Sequence, residues 1–481
     1  MKKVLAVLLM LTMMICSVTN AFVADNYVRI SIDEWIGWQS LLDANGGLKT
    51  APDSINAKLG IKVEYVVMND ASTSSAALIA GNLQGAGYTV NRYAFLYNKF
   101  TAAGVAVEMD YITNFSNGGD GIIAKKGIDN VKDLVGKKVA VPEFSEAQTM
   151  VEWLINTSDL QPDEKAQIRA DMVYFETPDD AAKAFFSGAV DAAATWEPYL
   201  TQAASSTDSH IFFDTSDSTN LILDGIVFRK DFAEKNHDFI VKLMDGALEA
   251  ASMYKKEFSN IRQMPMFELM TNEEIIEMAN GADLATCAQN VELLTVTAVQ
   301  MFEDMSEVWI GLGQAADPSK ASVAFNAKYA QELIKKYPDD NKSSTATKPL
   351  TAEEREVLIE SPESLLSYRA NIKFELNSVE IKAESKAQLN EFVRIAKILD
   401  GVFIQLEGNA SQRAEGVSEE QIVKFSRERA QAVADYFVSQ GIDPNRIVVI
   451  GRGDLNYADP DNPAGAANRR TEFYFKTVRG Y

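Results

Sequence analysis

Two apolar periods alternate along the first two thirds of the chain. Tyr27–Ile32, Lys62–Val67, Thr89–Val90, Val107–Tyr111, Ile122–Ala124, Val139–Val141, Val173–Phe175 and Ala192–Thr195 read as short strands. Between them lie stretches of helical spacing: one led by Ser72 through Ala80, Ala147–Thr157 behind Ser145 with Gln148 three residues on, and Asp179–Ser187. Phe239, Leu243, Ala247 and Ala250 share one face of a further helix, in a helix-rich run to Lys336. This alternation predicts parallel sheets with helices on both faces. Pro338–Lys348 is polar, lacks periodicity and reads as a linker. Beyond it the order becomes β-α-β-α-β-β: Asn371–Leu376, Ser385–Leu399, Val402–Glu407, Glu419–Gln440, Arg446–Gly451 and Thr471–Lys476. Leu389, Phe392, Ile395 and Ala396 line one helix face, and Phe425, Ala430, Val433 and Phe437 another. That order predicts helices on one face of a small sheet.

Ligands of open α/β sheets sit at the carboxyl ends of strands. The polar and aromatic candidates at strand ends are Trp35, Trp38, Ser72, Thr73 and Asp224, and then Asp120, Ser145, Glu146, Trp196 and Glu197. The tryptophan rings suit the sandwiching of a ligand body, or simply anchor the turns. Helix starts at Ser72 and Ser145 offer donors to an anion. Glu197 suits a cationic nitrogen or caps its own helix, Ser145 is a cap in any case, and Asp120 otherwise shapes a turn. Among these segments Arg92 is the exceptional cation, so a neutral or amine-bearing ligand fits the acidic set, while helix termini leave nitrate, phosphate or sulfonate open.

Composition narrows the class. The 481 residues carry a net charge of −22, which excludes a nucleic-acid partner and an anionic membrane surface. Lys2 and Lys3 precede the apolar Val4–Val18 run, as in a secretory signal, with cleavage expected after Ala21. Lipidation at Cys16 is the rival reading, opposed by Ile15 before it. The mature chain then keeps Cys287 alone, on a face with Val291, Leu294 and Ala298, as a buried structural thiol. With His210 and His237 the only histidines, neither a histidine metal site nor a Ser-His-Asp arrangement has support, and no catalytic residue or cofactor is expected.

Gly136-Lys-Lys-Val-Ala-Val-Pro, the Ser145-led helix, Ala184-Phe-x-x-Gly-x-Val-Asp-Ala and Trp196-Glu-Pro-Tyr occur in one order. In this the chain resembles the solute-binding proteins of ABC importers in the nitrate/sulfonate/taurine group. The resemblance implies a two-lobed α/β periplasmic-binding-protein fold, type II-like, over residues 25–337: lobe one at 25–114 and 215–337, lobe two at 120–208, with crossings near 114–118 and 214–220. It implies a small-molecule ligand and an inner-membrane ABC permease as partners.

After a linker at 338–365, residues 366–478 resemble the OmpA-like cell-wall-binding domain, a small α+β fold. Phe374-x-x-Asn377-Ser378, Leu406-Glu-Gly408, Ser426-x-x-Arg429-Ala430, Gly441-Ile442 and Asn468-Arg469-Arg470-x-Glu472 carry this likeness. In that family an Asp and an Arg hold the diaminopimelate group of peptidoglycan. Arg429 matches the Arg, whereas Ser411 stands where the Asp belongs, which weakens the expected wall contact. Asn468 and Arg469 complete the implied site. The expectation is an envelope-located receptor in the periplasm of a Gram-negative-type cell, not an enzyme. The alternatives are a structural envelope protein, or a pyrimidine-precursor binding protein or enzyme on the same fold.

Overall fold

The computed structural model describes residues 27–253, 258–337, 349–361, 364–375 and 378–477. The expected signal segment 1–21, Cys16, most of the polar linker and Asn377 lie outside them. Strands β1 (Val28–Ile32), β2 (Val63–Val67), β3 (Gly85–Thr89) and β4 (Val107–Ser116) enclose helices α1 (Ala71–Ile79) and α2 (Val90–Ala102). The chain then forms β5 (Asp120–Lys125), β6 (Val139–Pro142), α3 (Glu146–Thr157), β7 (Met172–Phe175), α4 (Pro178–Phe186), β8 (Ala192–Trp196) and β9 (Ser209–Asp214). It returns as β10 (Leu223–Arg229), α5 (His237–Ser252), β11 (Ala282–Leu284) and α6 (Ala298–Gly311).

Two sheets result, ordered β11-β4-β10-β3-β1-β2 and β7-β6-β8-β5-β9. The strand–helix–strand units are parallel, as expected: β1 with β2 and β3, and β6 with β7 and β8. Both sheets are nevertheless mixed, which corrects the expectation of parallel sheets. β10 runs antiparallel to β3 and β4, and β5 antiparallel to β8 and β9. These strands adjoin the two crossings between the sheets and need no helical return, so an antiparallel partner is open to them. The strand expected at Thr89–Val90 ends at Thr89, because the Thr89 hydroxyl accepts from Arg92 N at 3.0 Å and starts α2.

The two crossings are laced together at Thr215, which is fully buried. Its hydroxyl accepts from Gly118 N at 2.8 Å and lies 2.8 Å from Ser116 Oγ, while Thr215 N donates to Asp120 O at 2.9 Å.

The last third folds as α7 (Ala352–Glu360), β12 (Leu366–Ala370), α8 (Lys386–Ile398), β13 (Phe403–Asn409), α9 (Glu419–Ser439), β14 (Ile447–Gly453) and β15 (Arg470–Lys476), with sheet order β12-β15-β13-β14. The first strand lies upstream of the expected Asn371–Leu376, because Leu366, Tyr368 and Ala370 are the inward set while Arg369 is exposed. α8 and α9 cover one sheet face, as their periodicity predicts. The stretch expected as linker also contains α7, started by the Thr351–Glu354 capping box, whose Leu358 packs on Phe403 and Val448 of the other face.

This unit docks on the second crossing. Thr219 N and Oγ1 donate to the Asp400 carboxylate at 2.8 and 2.5 Å, Ser218 Oγ donates to Ile398 O at 2.6 Å, and Gly401 N donates to Asp217 O at 3.0 Å. Arg394 pairs with Asp304 of α6, and Tyr368 donates to Thr157 O at the end of α3. A Cβ on Gly401 would meet Ser216 O at 2.0 Å. Gly401→Ala is therefore expected to destabilise the docked state by about 1–3 kcal/mol. Calorimetry of the parent chain should give one transition and the variant two, with the C-terminal unit melting first. A variant that melts like the parent contradicts the docking.

Candidate functional site

Strand ends from both sheets converge on one cluster of charges. Asp33 follows β1, Thr89 ends β3 and caps the helix that presents Arg92, and Asp224 pairs with Thr89 across β10 and β3. From the second sheet, Asp120 opens β5 opposite Trp196, and Ser145 caps the helix that presents Glu146. The two lobes meet here: Arg92 Nε lies 2.6 Å and Nη2 3.0 Å from the Glu146 carboxylate, and Thr89 Oγ1 donates to Glu146 Oε1 at 2.9 Å. Arg92 Nη1 also reaches Asp33 at 3.3 Å. Nearby, Asn91 Nδ2 donates to Thr149 Oγ1 at 2.9 Å, and the Phe144 ring of lobe two stacks on Phe95 and Trp309 of lobe one at 6.3 and 6.4 Å.

The balance of charge is acidic. Four carboxylates, those of Asp33, Asp120, Glu146 and Asp224, surround the Arg92 guanidinium. Burial pulls the Arg92 pKa down, but Glu146, Asp33 and Asp224 outweigh it and hold it above its ordinary value. Burial raises Asp33, with Arg92 and the 2.8 Å bond from Trp38 Nε1 opposing it. Burial pushes Asp120 up to about 7, against a 2.7 Å bond from Ser116 Oγ. Asp224 is raised well above the carboxylate range, by burial first and then by Asp33, Glu146 and Asp120. It is 5% exposed, and no described residue donates a hydrogen bond to its carboxylate. Asp33, Arg92, Asp120 and Glu146 are partly buried, and Asp224 is the most deeply buried acid of the cluster.

The expected residues divide. Asp120, Glu146 and Asp224 join this cluster, and Ser145 caps α3 beside it, accepting from Gln148 N at 3.2 Å. Trp38 is not free to sandwich a ligand: it is 1% exposed, and its ring packs where a Cβ on Gly87 would stand. Trp35 is partly buried, and its Nε1 donates to Asn114 Oδ1 at 2.9 Å across Gly37, where only a hydrogen in place of a side chain fits. Ser72 is not the cap of α1. Asp70 is, accepting from Thr73 N and Thr73 Oγ1 at 2.6 Å each, so the donors of Thr73 are already taken by a carboxylate, while Ser72 is exposed. Trp196 Nε1 is bound to Asp179, and Glu197 caps its own helix at Thr201. Asp33, Thr89 and Phe144 were not singled out in the sequence. The strand-end position of Asp33 was the available signal.

In the C-terminal unit Arg429 lies between the Phe374 and Phe425 rings, at 4.8 and 4.4 Å. Burial and the neighbouring Arg469 lower its pKa. Arg469 Nη1 donates to Ser411 Oγ at 3.3 Å. Asn468 is fully buried and holds the preceding loop through Asp459, Asn462 and Pro463. Elsewhere, a cavity of about 310 Å³ is lined by Ile36, Gly37, Gln39, Ile276, Ala279 and Leu284, and by none of the cluster residues.

Comparison with known proteins agrees with this division of the chain. Residues 35–266 match the NMT1-like family and residues 373–471 the OmpA family. The Outer membrane protein A of Bordetella avium is 34% identical over 22% of this chain and 54% of its own length. A putative aliphatic sulfonates-binding protein of Bacillus subtilis is 27% identical over 42% of this chain and 58% of its own. The chain thus spans little more than half the length of these curated relatives. Among solved structures, the periplasmic aliphatic sulphonate binding protein of Escherichia coli is 16% identical at a TM-score of 0.47, over 62% of this chain and 98% of that one. The periplasmic nitrate-binding protein of Synechocystis is 13% identical at 0.48, over 66% and 91%. The chain thus joins a region that matches the NMT1-like family to a C-terminal region that matches the OmpA family.

Proposed function

We propose that the protein is an envelope-located solute receptor rather than an enzyme. Its two lobes close on a small polar molecule and deliver it to an ABC permease, while the OmpA domain keeps the receptor near peptidoglycan. The observation that carries this reading is the pair of bonds across the cleft, from Arg92 and Thr89 of lobe one to Glu146 of lobe two. A charged contact made only when lobes meet lets ligand contacts on both walls offset the cost of ordering them. Among the described residues no helix is long and apolar enough to cross a membrane. The sulfonate-, taurine- and nitrate-binding names of the relatives set the classes to screen, with amines added because of the acidic cleft.

Residues 22–481, freed of carried-over ligand by unfolding and refolding, are expected to gain thermal stability from one member of a panel of taurine, alkyl sulfonates, nitrate, phosphate, amino acids, amines and pyrimidine precursors. A ligand at ~100 times its Kd adds about 2.7 kcal/mol, a shift of several degrees. Glu146→Ala should reduce that shift. No response to any member favours the alternative of a structural envelope protein.

Wall attachment has its own test. The Arg429 guanidinium, held by two rings with Arg469 beside it, offers a carboxylate-binding cation. The protein is expected to co-sediment with purified sacculi and to lose most of that association on Arg429→Ala. Undiminished sedimentation of the variant removes Arg429 from the proposal.

A further inference from the structure

We propose that the cleft selects a hydrogen-bond-donating organic cation, an amine or guanidinium compound, whose charged nitrogen sits between Asp224 and Asp120. This rests on the reading of the cleft as the ligand site. Arg92 does not offer a free positive charge for an anion, because Glu146 and Asp33 already bind its guanidinium. The two helix starts expected to offer donors to an anion carry carboxylates of their own: Asp70 caps α1, and Glu146 stands in the first turn of α3. What the cleft does offer is the Asp224 carboxylate, 5% exposed, without a hydrogen-bond donor among the described residues, and facing three further acids.

Leaving such a group buried and unpaired is costly, and a bound ammonium or guanidinium removes the cost by supplying both charge and donors. An inorganic ion fits less well, since the described residues contain no group of three or more His, Cys, Asp or Glu side chains placed to hold a metal. Burial and its acidic neighbours favour the protonated form of Asp224, and Asp120, pushed up to about 7, is partly protonated near neutrality. Cation binding therefore releases protons, and affinity rises with pH through neutrality. The groups that set this titration are Asp33, Asp120, Glu146, Arg92 and the Ser116 hydroxyl.

The test is calorimetric titration of residues 22–481 with ethanolamine, putrescine and agmatine, with choline as a cation that lacks N–H donors, and with isethionate and nitrate as anions. One of the N–H cations is expected to bind, to release protons when buffers of different ionisation enthalpy are compared, and to lose about tenfold or more in affinity on Asp224→Asn or Asp120→Asn. Free Asp224→Asn should melt no lower than the parent, which separates a lost ligand contact from a lost fold. Binding of isethionate or nitrate instead, unweakened by Asp224→Asn, overturns the cation proposal and leaves the receptor standing. Binding of choline as tightly as ethanolamine overturns the requirement for a donor. Silence from every probe, together with silence across the wider thermal panel, overturns the cation proposal and the receptor reading alike.

Discussion

Everything in the first two thirds of the molecule is arranged around the double crossing at Thr215. One buried hydroxyl joins the outgoing segment, through Ser116 and Gly118, to the returning one, and the Thr215 amide holds Asp120 O. Because both crossings pass this point, the ends of β1, β3 and β10 on one side face those of β5 and β8 and the start of α3 on the other. The same returning segment, residues 216–220, is where Asp400 and Gly401 of the C-terminal unit dock. Crossing and docking site are thus one piece of backbone, so a rotation of the lobes, if the proposed closure occurs, is coupled to the contacts with that unit. Arg394 on Asp304 and Tyr368 on Thr157 extend the docking to one element of each lobe.

A second constraint is electrostatic. Four carboxylates and one guanidinium share a partly solvated cleft, and the guanidinium is spent on two of the acids. Charges in such a place are stable only with partners, or after taking up protons. The raised pKa values of Asp120 and Asp224 reflect burial and this crowding of acids.

Much of this was legible in the residues. Apart from its first strand, the strands and helices expected of the C-terminal unit fall within a few residues of those observed, because each buries a continuous apolar face. The strand-end rule put Asp120, Glu146 and Asp224 among the candidates, and the structure brings these three into one cluster. Two kinds of feature were not legible. Trp38 and Ser72 sat at the right ends of the right strands, but whether a ring turns into the core or a helix is capped two residues earlier at Asp70 depends on neighbours distant in sequence, such as Gly87, or on one competing side chain. The antiparallel strands and the α7 helix depend on what lies opposite them, the neighbouring crossing strands in one case and Phe403 with Val448 in the other, and a local pattern carries no record of that.

The central claim is that two lobes, hinged at Thr215, close over the charged cleft. Pulsed dipolar spectroscopy on the full chain measures it directly, with spin labels at the exposed positions Ser72 of lobe one and Glu143 of lobe two. Cys287, fully buried, should escape labelling. The account predicts a broad distance distribution in ligand-free protein that collapses to its short end when the cleft is saturated. A single distance, unchanged between empty and saturated protein, would contradict it.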